Sequence, residues 1–165
     1  MKTLLVMRHA KSDWGAESGS DHDRILSRRG IKAARKIGRF LRESEMVPDL
    51  VISSTAVRAV ATAELAAEAG EWGCEIVGNP NLYASDPERV LDVIHAVEDG
   101  VDRLLIAGHE PTWSTLVTLL IGGSRVRMPT SAVACVDLLG GDWIDLGFAR
   151  CELRWLVTPK SLKRK

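Results

Sequence analysis

The feature that most constrains this chain is a short apolar run that breaks off at two polar side chains. Thr3-Leu4-Leu5-Val6-Met7 predicts a buried strand, and it stops at Arg8-His9-Ala10-Lys11-Ser12. Arg8 and His9 are thereby delivered to the carboxyl end of the strand. That edge is where open α/β sheets bind ligands, so an arginine beside a histidine there points to an anion pocket containing a nucleophile. Taken alone, a histidine at a strand end is more often a satisfied structural residue. Later segments decide between the two.

After this strand the chain is small and polar from Asp13 to Ser20, and Asp21-His22-Asp23-Arg24 shows no apolar period, which predicts a loop over the pocket. Ser27 is placed to cap a helix whose buried face is Ile31, Ala34, Ile37, Phe40 and Leu41; Lys32, Arg35, Lys36, Arg39 and Arg42 form a solvated opposite face. Leu50-Val51-Ile52-Ser53 predicts a second strand, followed by an alanine-rich helix from Ala56 to Ala69 that Gly70 stops. Arg58 falls in the first turn of that helix, the wrong end for a cation, and so asks for an anion nearby.

Glu75-Ile76-Val77 predicts a third strand and Asn79-Pro80-Asn81 a turn. Asp86-Pro87-Glu88 opens a helix with Val90, Ile94 and Val97 buried, His95 structural beside them, and Asp99-Gly100 as its end. Arg103 to Ala107 is strongly apolar and runs into Gly108-His109-Glu110-Pro111, which repeats the pattern of the first strand. Gly108 allows a close approach, and Pro111 starts a helix through Ile121. Ala132 to Leu139, the turn Gly140-Gly141-Asp142 and an alternating Ala149 to Val157 predict an antiparallel pair. Lys160 to Lys165 reads as a frayed basic tail.

This order of elements predicts an α/β fold: a single domain over 1–165, three-layer α/β/α, with a mainly parallel central sheet and an antiparallel C-terminal edge strand. Lysine plus arginine and aspartate plus glutamate are 22 each, so no overall field recruits nucleic acid or a membrane surface. Cys74, Cys135 and Cys151 have no close pair, which argues against a disulfide framework and fits a reducing cytoplasm. The apolar stretch after Lys2 is too short for a signal peptide, and no stretch approaches a membrane span. His9, His22, His95 and His109 show no metal-ligand spacing, so no metal or other cofactor is expected.

In such a sheet Arg8, His9, Arg58 and His109 converge on one edge. Guanidiniums clamp phosphate bidentately, and cations beside an imidazole favour its neutral, nucleophilic form. Arg8-His9-Ala10-Lys11-Ser12, Ser53-Ser54-Thr55-Ala56-Val57-Arg58-Ala59 and Gly108-His109-Glu110-Pro111 resemble the motifs of the histidine phosphatase superfamily. Closer still is its branch of SixA-type phosphohistidine phosphatases, with counterparts to Asp21-His22-Asp23-Arg24, Pro129 to Ala132 and Thr158 to Lys160. The resemblance implies a phosphoglycerate mutase-like fold and a metal-independent phosphatase, with His9 phosphorylated in a covalent intermediate and Arg8, Arg58 and His109 holding the phosphoryl oxygens.

Many larger relatives carry a glutamate general acid where this chain reads Leu82-Tyr83-Ala84. Its absence favours a phosphoramidate such as protein phosphohistidine, whose imidazole leaves easily. Glu110 is open as a substitute acid or as a helix N-terminal residue complementing the dipole. Lys11 and Ser12 are candidates for substrate contact. A small phosphorylated metabolite, or a silent phosphate-binding module on the same fold, are the alternative readings; the oligomeric state is not legible.

Overall fold

A computed structural model describes residues 1–15 and 19–162 of the chain. Positions 16–18 of the expected loop and 163–165 of the expected basic tail lie outside the described residues. The elements follow in the order β1 (Thr3–Arg8), α1 (Arg28–Glu43), β2 (Leu50–Ser53), α2 (Val57–Gly70), β3 (Glu75–Gly78), α3 (Pro87–His95), β4 (Arg103–Gly108), α4 (Thr112–Leu120), β5 (Val133–Leu138) and β6 (Cys151–Val157). One six-stranded sheet holds them in the order β3-β2-β4-β1-β5-β6. β3, β2, β4 and β1 run parallel, β5 runs antiparallel to β1, and β6 antiparallel to β5.

β1 reads as an unbroken apolar run because it lies between β4 and β5 with both of its faces covered. Leu4 and Val6 point into one core with Leu104, Ile106, Val90, Ile94, Trp113 and Leu116. Leu5 and Met7 point into the other with Leu105, Ala107, Ile37, Leu41, Ala63 and Ala66. Helices α3 and α4 thus cover one side of the sheet and α1 and α2 the other, which gives the three layers. Ser27 caps α1 as expected, its side chain accepting from the Gly30 amide, and Asp86 caps α3 by accepting from Arg89.

Several boundaries depart from the sequence reading. Gly70 does not stop α2 but lies inside it; Glu71 takes the left-handed position at φ 52°. The glycine is needed for packing instead, since a Cβ there would overlap the Gly38 carbonyl, and one on Gly38 would overlap the Ala66 backbone. α3 ends at His95, well short of Gly100. The β5–β6 connection is no tight hairpin: Gly140 and Gly141 do turn with positive φ, but a 3-10 turn at Trp143–Asp145 with buried Trp143 follows. In β6 the ladder slips between Cys135 and Val136, so Cys151 joins the first core while Trp155 and Val157 pack on the second. A strict alternation would have put all three on one face. On the basic side of α1, Lys36 is not simply solvated, because it donates to the carbonyls of Pro159 and Leu162 at 2.8 and 2.9 Å.

Cys74, Cys135 and Cys151 are all free thiols, and burial raises Cys135 to about 11 and Cys151 to about 12. No helix among the described residues is long and apolar enough to cross a membrane.

Candidate active site

The register sets the ends of three strands side by side. Arg8 pairs with Gly108 and Ser53 with Ala107, so β1, β2 and β4 release their next residues at one level of the sheet. Those residues are His9, Ser54 and His109. Because β5 runs the other way, it is its beginning, Ser131 and Ala132, that meets this edge: the Ser131 amide donates to His9 O at 3.1 Å and the Arg8 amide to Ala132 O at 3.0 Å. Above the edge opens a cleft of about 590 Å³ lined by Arg8, His9, Lys11, Ser12, Trp14, Asp21, Arg24, Arg58, His109, Glu110 and Thr130.

His9 is 7% exposed, and its ring lies 5.2 Å from that of His109, centroid to centroid. Its Nδ1 meets the Ala10 carbonyl at 2.7 Å. A carbonyl only accepts, so Nδ1 carries the hydrogen and Nε2 keeps a free lone pair. Burial pulls the His9 pKa down to about 4; Arg58, Arg8 and Arg24 push the same way, against the bond to Ala10. The neutral form expected from the arginines is therefore favoured first by desolvation. The Ala10 amide is in turn held by Thr62 Oγ1 at 2.9 Å, and that hydroxyl donates to Arg58 O at 2.6 Å. The loop after β1 and the first turn of α2 are locked to each other.

The anion that Arg58 asked for is Asp21. Arg58 is 5% exposed and donates from one terminal nitrogen to Asp21 O at 2.7 Å and from the other to Asp21 Oδ2 at 3.0 Å. Arg24 donates to Asp21 Oδ1 at 3.1 Å and to Ser12 Oγ at 2.6 Å, while the Tyr83 hydroxyl donates to Asp21 Oδ2 at 2.8 Å. The bond from Tyr83, aided by Arg58 and Arg24 and opposed by burial, holds the Asp21 carboxyl below its ordinary range. Arg58 also makes a long 3.4 Å contact to His109 Nδ1, and His109 Nε2 lies 2.7 Å from Ser54 Oγ. A guanidinium only donates, so the proton of neutral His109 sits on Nε2 and points to Ser54. Burial, then His9 and Arg58, take the His109 pKa down to about 3.

Arg8 donates to the Met128 carbonyl at 3.0 Å, and burial lowers its pKa against the pull of Glu110. The Nε groups of Arg8, Arg24 and Arg58, like that of Arg103 outside the cleft, are buried with no hydrogen-bond partner among the described residues. Three guanidiniums around one cleft give it a positive wall suited to an oxyanion. Glu110 lines the cleft, but both of its oxygens accept from Ser114, from the amide at 2.7 Å and from the hydroxyl at 2.6 Å. Lys11 is exposed at the rim; its carbonyl accepts from the Ser27 amide and hydroxyl. Ser12 is buried against Arg24. Gly108 does serve a close approach, though to the Trp113 indole packed beneath it. His95 is structural, its Nε2 2.7 Å from Leu146 O.

All seven sequence-derived candidates thus border one cleft. Sequence reasoning put Asp21 and Arg24 only in a loop over the pocket, on a segment that resembles a family motif, and gave no role to Trp14 or Thr130, which also line the cleft, or to Ser54 and Tyr83, which bond to His109 and Asp21. Leu82-Tyr83-Ala84 stood out only for lacking a glutamate, and Trp14 carried no signal, being a single aromatic residue in an aperiodic loop.

Comparison with known proteins agrees with this geometry. Residues 4–86 match the model of the histidine phosphatase superfamily (branch 1). An uncharacterized protein of Mycobacterium tuberculosis is 37% identical over 151 residues, 85% of this chain and 91% of that one. The structure of the protein histidine phosphatase SixA complexed with tungstate superposes with a TM-score of 0.84 at 25% identity, covering 98% of this chain and 99% of that chain. The SixA protein of Nakamurella multipartitia gives 0.83 at 26% identity, over 96% of each chain.

Proposed function

The chain belongs to the histidine phosphatase superfamily, and from that premise we propose that it hydrolyses protein phosphohistidine through a phosphoryl group carried on its own His9. His9 Nε2 attacks phosphorus in line as the phosphorus–nitrogen bond to the substrate imidazole breaks. The hydrogen on His9 Nδ1 stays there, donated to the Ala10 carbonyl. A leaving imidazole whose other ring nitrogen is protonated departs neutral with no further proton. Water then attacks the phosphorus on His9, inorganic phosphate leaves, and Nε2 recovers its lone pair. Arg8 and Arg58 face the charge that spreads over the phosphoryl oxygens, already positioned, and His109 accepts from Arg58 on Nδ1 and so holds that guanidinium at the same edge. Those guanidiniums supply the positive charge that a metal supplies elsewhere, so full turnover is expected in excess chelator.

One observation carries the choice of substrate. The two carboxylates lining the cleft, among the described residues, are both committed: Asp21 to Arg58, Arg24 and Tyr83, and Glu110 to Ser114. Neither is free to protonate an alkoxide, which a phosphate monoester needs and an imidazole does not. Glu110 then acts as the acid at the start of α4, complementing its dipole.

The test is a substrate profile. A phosphohistidine peptide is expected to be turned over in preference to a phosphoserine peptide and to sugar phosphates; the reverse order would refute the assignment. Acid-labile, base-stable phosphate should accumulate on the protein during turnover and be missing from His9→Ala, whereas a silent binding module would show none in either. Tungstate, which the related SixA structure holds, is expected to compete with substrate.

A further inference from the structure

Trp14 lines the cleft and is 79% exposed, although Ser12 and Arg24 beside it are buried. A scattered surface aromatic needs no explanation, but this one is braced. The Arg24 guanidinium carbon lies 3.4 Å from the indole centroid, and Arg24 is itself fixed by Ser12 and Asp21 at 7% exposure. The backbone on either side is tied as well, with the Asp13 amide donating to Ile25 O and the Gly15 amide to Asp13 Oδ1, both at 2.9 Å. One face of the ring is thus covered by a cation, and the exposed indole forms part of the cleft lining.

We propose that Trp14 recognises the leaving group: its open face stacks on the substrate imidazole while the phosphoryl group lies against His9 and Arg58. The proposal rests on the phosphohistidine reading and adds a specificity-determining residue to it. In-line attack by His9, at the floor of the cleft, requires the departing nitrogen to lie on the opposite side of phosphorus, toward the mouth. That is the side on which Trp14 stands.

Phosphoimidazole and phosphoramidate separate the two contributions, because both break a phosphorus–nitrogen bond and only the first releases a ring. The quantity read is the ratio of kcat/KM for phosphoimidazole to that for phosphoramidate, which cancels general damage to the cleft. In Trp14→Ala the ratio is expected to fall about threefold to tenfold, the size of an aromatic pairing. Trp14→Phe should restore most of it, and Trp14→Leu, of similar apolar bulk without a π face, should not; if the alanine variant is too damaged to assay, the leucine variant gives the same reading. A ratio that stays at the wild-type value in both Trp14→Ala and Trp14→Leu overturns the proposal and leaves the phosphohistidine reading standing. A wild-type protein that hydrolyses neither compound overturns that reading, and the role of Trp14 falls with it.

Discussion

His9 is kept uncharged by its surroundings, and this has a directly measurable signature. The free imidazole titrates near 6.5, and burial brings this one to about 4. An NMR titration should find the His9 ring nitrogens unchanged from pH 7 to about 5, with a midpoint near 4 and Nδ1 as the protonated nitrogen throughout. A midpoint near 6.5 would mean that the ring is solvated and the geometry around it is wrong. Arg58→Ala is expected to lower kcat on the order of 100-fold to 1000-fold, the usual cost of losing a preplaced donor to transition-state charge. Arg58→Lys should recover only part, because a lysine keeps the charge but not the two-pronged bonding to Asp21. Asp21→Asn removes no catalytic group but loosens two arginines at once, Arg58 among them, so kcat/KM should drop on the order of tenfold with folding preserved, as CD would show.

At the scale of elements, the contact between α1 and α2 depends on absent side chains. Gly38 and Gly70 let the two backbones meet, and a methyl group on Gly38 would run into the Ala66 main chain, which cannot rotate away. Gly38→Ala is therefore expected to cost about 1–3 kcal/mol in urea unfolding, with kcat on any substrate unchanged. The strands and the residues at their ends were legible in the chain because an apolar run that stops at Arg8, Ser53 or Gly108 marks both a core position and an exit onto the sheet edge. The caps at Ser27 and Asp86 were legible because their side-chain chemistry is local. What escaped notice depends on partners distant in sequence. Gly70 looks like a helix stop until Gly38 is placed opposite it, and the slip in β6 needs β5 to be visible. The link from Asp21 to Tyr83 joins two loops without periodicity.

For the whole molecule, two neutral histidines, His9 buried and His109 half-buried, tie stability to pH. His9 and His109 have folded pKa values of about 4 and about 3 against 6.5 when solvated. The unfolded chain therefore binds more protons than the native one as pH falls below about 6.5, and native stability declines through that window until the folded values are reached. Thermal unfolding should give a Tm that is level above about pH 7 and falls steadily between pH 6 and 4. An oxyanion held by the native cleft alone raises the Tm with increasing concentration; that rise is the expected result for phosphate and for tungstate, and His9→Ala combined with Arg58→Ala should abolish it.

The central place of β1 in the sheet has a consequence for how the protein is made. Its hydrogen-bonding neighbours are β4 at Arg103–Gly108 and β5 at Val133–Leu138, not β2, so a fragment ending at residue 86 would hold β1 and β2 with the strand between them missing. Such a fragment is expected to show no cooperative unfolding transition. During synthesis, the His9 imidazole is therefore expected to titrate as an ordinary solvated group until β4 and β5 have both been made, and a chain cut short before β5 is expected to take up no phosphate on His9.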